Sequence, residues 1–525
     1  MRTWRKSLLH AALGALSGLV AGYVALAVAE LTAVAVRPEA GPVTAVGGAA
    51  IDRTPAAVKV WAIRNFGADD KLVLRLGIVA VLALFAMALG ALAPRFRRAA
   101  PAGVLVFGAV GALAATSRPD SPGALDAVPS LVGAVAAAVV LYLLASRLPS
   151  PGAAAAMPGE GSGVDRRGFV LGLAGATAAA AVAGPLGRSL NAADAERAAE
   201  SRAGVRLPAP ASPAPPLPRG VDLKLPGLTP FTTPARDFYR VDTALTVPRV
   251  DVGGWRLRVH GRGVGKPLTV TFQDLLRRPL IERDTTLTCV SNEVGGPYVG
   301  TARWLGVPLA DVLREAGVRA PSRGGPADQL VARSVDGMTL GTPVETVLDG
   351  RDALLAVGMN GAPLPFEHGF PVRMLVPGLF GYASACKWIK DIELTTFDAY
   401  DPYWVRRDWA AKAPVKTQSR IDTPKPFANV KAGAVTVAGV AWAQHKGVDG
   451  VEVRVDDGDW QRAELAAEAG VDTWRQWSFA WRATPGTHAL HVRATDRTGY
   501  VQTAERTRTI PDGASGRHSV VVTVA

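Results

Sequence analysis

Arg283-Asp284-Thr285-Thr286-Leu287-Thr288-Cys289-Val290 runs directly into Ser291-Asn292-Glu293-Val294-Gly295-Gly296, and the rest of the chain is read outward from this junction. β-Branched residues at 285, 286, 288 and 290 favour a pleated strand, and the paired glycines end it in a loop. A thiol at a strand end facing a glycine-rich loop can be reached by a bulky ligand. Taken alone, Cys289 also reads as a buried, inert side chain, so its meaning depends on what the fold brings to it. Cys386 is the other cysteine. Two cysteines cannot make a disulfide framework, so any extracytoplasmic part is held by its core and a cofactor.

Around the junction the hydrophobic period switches. Trp255-Arg256-Leu257-Arg258-Val259-His260 alternates as a half-buried strand does, whereas Val307 to Ala316 has helical spacing. Together they predict an α+β domain over 236–420. From about 430 only strands follow: Val435–Trp442, Gly450–Arg462, Trp477–Arg482, His488–Asp496 and Ser519–Val524. Asp457-Gly458 splits the second of these as a tight hairpin turn would. Short strands at this density predict an Ig-like β-sandwich over 425–525. Its indoles, Trp442, Trp460, Trp474, Trp477 and Trp481, read as core and interface rather than as a carbohydrate platform.

The N-terminal part differs in kind. The chain has 525 residues, 49% of them hydrophobic, and 58 Lys+Arg against 45 Asp+Glu leave a net charge of +13. At about 150 residues per domain this is roughly three domains. The basic residues sit beside apolar runs, where membrane orientation accounts for them, and no nucleic-acid partner is expected. A helix needs about 20 mostly apolar residues to cross hydrocarbon. Candidates near 8–29, 72–93, 103–116, 127–146 and 168–187 predict an all-α transmembrane bundle of about five helices over 1–190, the short third one tilted or re-entrant.

Under that count Arg2, Arg5 and Lys6, then Arg95, Arg97 and Arg98, then Arg147, Arg166 and Arg167 fall on one side. The expectation is a multi-pass protein of the cell membrane, inserted in its lipid bilayer, with everything after about residue 190 extracytoplasmic. Asp165-Arg166-Arg167-Gly168-Phe169-Val170-Leu171 resembles a twin-arginine export signal placed internally, and it also reads as a positive-inside anchor. The Pro-rich run from Leu207 to Pro218 makes 191–235 a semi-rigid linker. His10 is the only histidine of the membrane part and no Cys-x-x-Cys-His occurs, so no haem is expected there.

Further motifs follow in order. Phe238-Tyr239-Arg240 precedes Cys289; after it come Thr301-Ala302-Arg303-Trp304-Leu305-Gly306-Val307-Pro308-Leu309, Met359-Asn360-Gly361-Ala362-Pro363-Leu364-Pro365, His368-Gly369-Phe370-Pro371-Val372-Arg373 and Lys387-Trp388. A His, an Arg and a Lys brought together by one strand pair can hold a phosphate and a heteroaromatic ring through charge-assisted bonds. Singly, each reads as a surface charge.

In their order and spacing these segments resemble the sulfite oxidase family of molybdopterin enzymes over roughly 225–525. The trailing sandwich resembles that family's dimerisation domain. The resemblance implies a molybdenum-molybdopterin cofactor with one pterin per chain, and Cys289 as the protein thiolate on the metal, consistent with the preference of soft metals for sulfur. It further implies that His368 and Arg373 bind the pterin and its phosphate, with Lys387 and the backbone at Ala385 and Cys386 completing the clamp. Phe238, Tyr239 and Arg240 would line the cofactor or substrate pocket, and Asn292 takes the place of the Asn that follows the ligand cysteine. The Cys386 side chain reads as core.

The chain departs from the family in two places. Glu293-Val294-Gly295-Gly296 stands where sulfite oxidases carry an arginine-bearing loop, and in Tyr403-Trp404-Val405-Arg406-Arg407-Asp408-Trp409 the last indole replaces a pocket tyrosine. Arg406 and Arg407 read either as positive charge for the pocket or as partners of Asp408. With no cytochrome b5-like domain, a separate electron carrier is expected, a cytochrome or a membrane redox protein. The resemblance implies two-electron oxygen-atom transfer on a small oxyanion or oxide, as an oxidase or as a reductase of a sulfoxide or similar oxide. The alternative of another class is a non-catalytic, membrane-anchored adhesion protein.

Overall fold

The computed structural model describes residues 2–55, 58, 61–62, 65–66, 69–148 and 165–525. They form two compact units, Met1–Arg197 with Thr243–Val247, and Ala198–Asp242 with Pro248–Ala525.

The first unit is helical. Helices Leu8–Val36, Lys71–Leu92, Ala99–Thr116, Ala124–Ser146 and Arg166–Gly204 are long and apolar enough to cross a membrane, by length and composition. The third begins at Ala99, earlier than its apolar stretch suggests, and the last continues well past the expected 187 as one helix with Pro185 inside it. Small residues bring the helices together. Gly14 and Gly18 meet Ala86 and Gly90 backbone to backbone, and Gly133 packs against Ala25 and Ala29, the close approach that lets helices associate without burying large side chains. Leu84, Leu113 and Val182 point outward.

At one end of the bundle Arg97 donates to the Leu148 carbonyl at 2.7 Å and Arg147 to the Gly168 carbonyl, which gathers these basic clusters on one side. The side chains of Arg2, Arg5 and Lys6 lie outside the described residues. At the opposite helix ends Arg37 pairs with Asp120 and Asp126 at 2.6 Å each, and Arg118 joins Asp120 at 2.9 Å.

The second unit opens with two sheets, the first mixed and the second antiparallel. One has the order Leu268–Thr271, Arg256–Gly261, Ile389–Thr395, Gln329–Ser334, Thr339–Pro343, with its second and third strands parallel. The other sets Ile281–Thr288 beside Val299–Pro308 and then Leu354–Met359, which also pairs with Ala362–Pro363 and Arg373–Leu375. The helix expected from Val307 is shorter, Leu309–Glu315, because Val307 still pairs with Leu355 in the sheet.

Two further sheets form the sandwich. Gln418–Thr423, Gly433–Trp442, Arg475–Ala483 and Glu464–Leu465 make one, and Asn429–Val430, His518–Val524, Gly486–Asp496, Val448–Val455 and Gln461–Arg462 the other. Its first strand starts before the expected 425, since Gln418 already pairs with Trp442. The hairpin at Asp457-Gly458 is wider than a two-residue turn, because Val453 pairs with Gln461 and Asp456 takes φ 51°. Trp442, Trp474, Trp477 and Trp481 are buried, and Trp460 lies half-buried beneath the guanidinium groups of Arg454, Arg493 and Arg517.

The stretch 191–235 is not a free spacer. It is helical to Gly204; beyond that, Ala211 donates to the Leu280 carbonyl at 2.8 Å and Glu282 to the Ser212 carbonyl at 2.9 Å. The prolines keep this segment extended, while Val221 and Phe231 are buried in the core formed with Val290, Trp442 and Trp474. Trp442→Ala, emptying a site that is 1% exposed, is expected to cost about 3–5 kcal/mol in urea unfolding. Phe427→Ser, at 82% exposure, should change stability by less than about 0.5 kcal/mol.

Candidate active site

Strand Ile281–Thr288 pairs along its length with Val299–Pro308, from Ile281 opposite Gly306 to Thr288 opposite Val299, and Cys289 is the first residue past its end. The Cys289 N–H donates to the Tyr298 carbonyl at 2.9 Å and the Cys289 carbonyl accepts from the Asn292 N–H at 3.0 Å. Asn292 Oδ1 then accepts the Tyr298 N–H at 2.8 Å, so this side chain holds the shape of the turn that carries the thiol. Cys289 is 8% exposed. Burial pushes its pKa up, while hydrogen bonds from Ser291 and the charge of Lys387 oppose the rise.

A second wall is built around Gly369. At φ 106°, a side chain there would stand 3.0 Å from the Lys387 Cα and 3.1 Å from the Arg373 Cβ, so only glycine lets these segments close. Met374 N–H donates to the Cys386 carbonyl at 2.9 Å and Ile389 N–H to the Val372 carbonyl at 3.1 Å, while Ala385 N–H returns to Gly381 at 2.9 Å. This is the pairing that sets His, Arg and Lys side by side.

Lys387 Nζ lies 2.7 Å from Asp242 Oδ2, and Arg240 Nε lies 2.9 Å from the same oxygen. Burial, with Arg373 and Arg240 nearby, lowers Lys387 to about 8 against the pull of Asp242. Arg373 is 6% exposed, its guanidinium 5.1 Å from the centre of the Trp304 ring, and its Nε has no hydrogen-bond partner. Burial brings it down to about 10. His368 Nε2 is 2.8 Å from the Ala235 carbonyl; a carbonyl only accepts, so Nε2 carries the proton and Nδ1 remains an acceptor. Burial and then Arg373 push His368 to about 4, which keeps it neutral.

Phe238 stacks on Tyr239 at 5.2 Å and meets Trp304 and His368 edge-on at 5.8 and 5.6 Å. Tyr239 is driven up by burial and by Cys289, with Arg373 opposing. The structure therefore brings together Cys289, Phe238, Tyr239, Arg240, Asn292, His368, Arg373 and Lys387, with the backbone of Ala385 and Cys386. The Cys386 side chain is core: it is enclosed, burial raises its thiol pKa, and its Sγ lies 3.8 Å from the Lys387 carbonyl.

Arg406 and Arg407 lie on the single turn Val405–Arg407. Arg406 is exposed, and Arg407 folds onto its own turn, 3.6 Å from the Tyr403 ring centre and 2.8 Å from the Tyr403 carbonyl. Trp409 packs against Tyr382 and Trp404. The sequence reading did not single out Asp242 or the role of Trp304. Asp242 had one local signal, its place two residues after Arg240.

Arg240 and Lys387 share one buried carboxylate, the orphaned Nε of Arg373 points to an unfilled partner, and a soft thiol completes the set. These residues fit an anionic, sulfur-bearing cofactor. Comparison with known proteins agrees. Residues 244–404 match the oxidoreductase molybdopterin binding domain, which takes in Cys289, His368, Arg373 and Lys387 but neither Arg240 nor Arg406, and residues 418–492 match a bacterial Ig domain. The mitochondrial sulfite oxidase of Mus musculus is 33% identical over 279 residues, 45% of this chain and 50% of that protein. Sulfite oxidase of Gallus gallus is 32% identical over 296 residues, 48% of this chain and 63% of its own length. Nitrate reductase [NADH] 1 of Oryza sativa subsp. japonica is 35% identical over 201 residues, 34% of this chain and 21% of that protein. The chain spans about half the length of the curated sulfite oxidases it matches.

Fold and site define a molybdopterin-dependent oxidoreductase with an Ig-like domain, its cofactor molybdenum-molybdopterin. Within that class the chain is similar to sulfite oxidases over slightly less than half of its own length.

His518, whose Nδ1 accepts the Ile421 N–H at 3.0 Å, is pushed to about 4 like His368, again by burial first. Between pH 6.5 and 4 the unfolded chain takes up protons that the folded chain refuses. The stability from both histidines is therefore whole above 6.5 and lost as pH falls toward 4. The melting temperature should drop across that window, and His518→Gln should flatten the drop.

Proposed function

We propose that this chain is a membrane-anchored, extracytoplasmic molybdenum-cofactor oxidoreductase that carries out two-electron oxygen-atom transfer on a small oxyanion or oxide. The observation that carries this reading is the buried grouping of the Cys289 thiol with Lys387, Arg373 and Tyr239, each acting electrostatically on another member. Cys289 is the thiolate for the metal, Arg373 and His368 hold the pterin and its phosphate, and Lys387 with the backbone at Ala385 and Cys386 closes the clamp. The bound cofactor supplies the two-electron couple and the oxygen exchange.

The chain's own groups do the binding and orienting. The Arg373 Nε is a donor already fixed in place by packing on Trp304. Asp242 orients both Lys387 and Arg240, and it keeps Lys387 charged at neutral pH. Tyr239, pushed away from ionisation, remains a phenol that donates. The aromatic rings of Phe238 and Tyr298 flank it and exclude water.

Reduction of a sulfoxide or similar oxide is the second reading, favoured by the loop after Cys289. That loop has no basic residue, and the arginine that reaches it, Arg420, is paired with Asp422 at 2.6 Å, which suits a substrate of low charge. Electrons pass through a separate carrier, a cytochrome or membrane redox protein, and the sandwich is a candidate homodimer contact.

Five apolar helices and basic clusters gathered at one end of the bundle support the membrane reading. Asp165 Oδ1 caps the Gly168 N–H at 2.9 Å at the start of the helix that follows Arg166-Arg167. Protease added to intact spheroplasts should remove the second unit; protection would place it inside. Metal analysis of detergent-purified protein should find about one molybdenum per chain, lost or spectroscopically altered in Cys289→Ser. Absence of molybdenum in protein from a cofactor-making host would leave a membrane-anchored binding module.

A further inference from the structure

We infer that the C-terminal sandwich is the outer wall of the Cys289 site, and that Arg420 and Gln444 are positioning residues for its thiolate; this rests on the reading of Cys289 given above.

The turn carrying Cys289 is tied to the sandwich at both shoulders. Upstream, Gln444 follows the strand Gly433–Trp442, is 3% exposed, and donates from Nε2 to the Thr286 carbonyl at 3.2 Å and to Thr288 Oγ1 at 2.9 Å. The Trp474 N–H donates to Thr286 Oγ1 at 2.7 Å, and the Thr286 N–H donates to the Asp472 carbonyl at 2.9 Å. The last strand residues before the thiol are thus held by the sandwich as well as by their own sheet.

Downstream, Arg420 Nη1 donates to the Gly296 carbonyl at 2.8 Å. Gly295 sits at φ 80°, and any side chain there would collide with the His518 ring. The other Arg420 donors are fixed too, Nε on Asp422 Oδ1 at 2.6 Å and Nη2 on Thr229 Oγ1 at 3.0 Å, while the Thr229 N–H returns to Asp422 Oδ2 at 3.1 Å. A closed ring of hydrogen bonds among Arg420, Asp422 and Thr229 therefore ties the sandwich to the segment leading to Phe238-Tyr239-Arg240, and Arg420 extends it to the loop after Cys289.

An appended module would touch its neighbour through exposed side chains. Here buried polar groups of the sandwich bond backbone carbonyls on either side of one residue, and their loss would leave those carbonyls unpaired. Partners behind a metal ligand orient it, and their mutation typically costs about 10–100-fold in metal affinity or activity.

The test uses full-length holoprotein of Arg420→Ala, Gln444→Ala and the milder Thr229→Val, which removes one Arg420 acceptor. Arg493→Ala, which breaks an ion pair with Glu452 elsewhere on the sandwich, controls for general loosening. The expected result is a shifted Mo(V) paramagnetic resonance spectrum and about tenfold faster cofactor loss on dilution in Arg420→Ala and Gln444→Ala. Thr229→Val should give a smaller shift in the same sense, Arg420→Lys should restore part of the wild-type signal, and Arg493→Ala should match wild type. If Arg420→Ala does not fold, Thr229→Val and Gln444→Ala decide. Wild-type spectra and retention in those variants, with only a lowered melting temperature, would overturn the positioning role alone. A wild-type protein without molybdenum would overturn the reading of Cys289 itself.

Discussion

Enclosure of Lys387 and Arg373 in one site, with Asp242 paired both to Lys387 and to the more exposed Arg240, is the constraint on which the site depends. Removing charges from water is costly unless each is paired, and the carboxylate bonded to Lys387 is shared with Arg240. Burial depresses the pKa of both Lys387 and Arg373, and the Arg373 Nε has no hydrogen-bond partner. On the proposed reading, the phosphate of the cofactor would bring negative charge to this enclosed, positively charged site.

The enclosed positive charge is held in a closely packed frame. Gly369 permits a close approach of three segments, the Phe238, Trp304 and His368 rings lock against one another, and the turn at Cys289 is closed by Asn292 and Tyr298. The 205–235 segment and the sandwich add a second layer, with Phe231, Trp442 and Trp474 sharing one core with Val290, the residue after the thiol. The oxidoreductase fold and the Ig-like domain are thus one packed body around Cys289, although they read as separate modules along the chain.

The helical unit follows a different physics. Its closest approaches are made by glycines and alanines, a few large side chains such as Leu141, Leu144 and Phe169 are buried between helices, and many other large apolar side chains face outward. Such an exposed apolar surface is unfavourable in water and supports the proposed membrane setting, in which close packing of small residues helps helices associate.

The sequence by itself determined the features that rest on local period and motif spacing: the apolar helices, the strand ending at Cys289, the sandwich strands, and the His368 to Arg373 and Lys387-Trp388 pair that carries the cofactor reading. Those signals are short in range, so they survive without knowledge of the fold. Their ends were less legible. Val307 carries a helical pattern but is claimed by a sheet, and the proline run looked like a spacer until Ile281 and Leu280 offered it a pairing edge. Only the tertiary structure decided that Asp242 pairs with Lys387 across 145 positions, and that Arg420 and Gln444 reach the loop and strand beside the thiol. It also sent Arg407 back to its own turn. Such contacts are set by which strands pair and which cores merge, and a single buried partner leaves no periodic mark on the sequence that needs it.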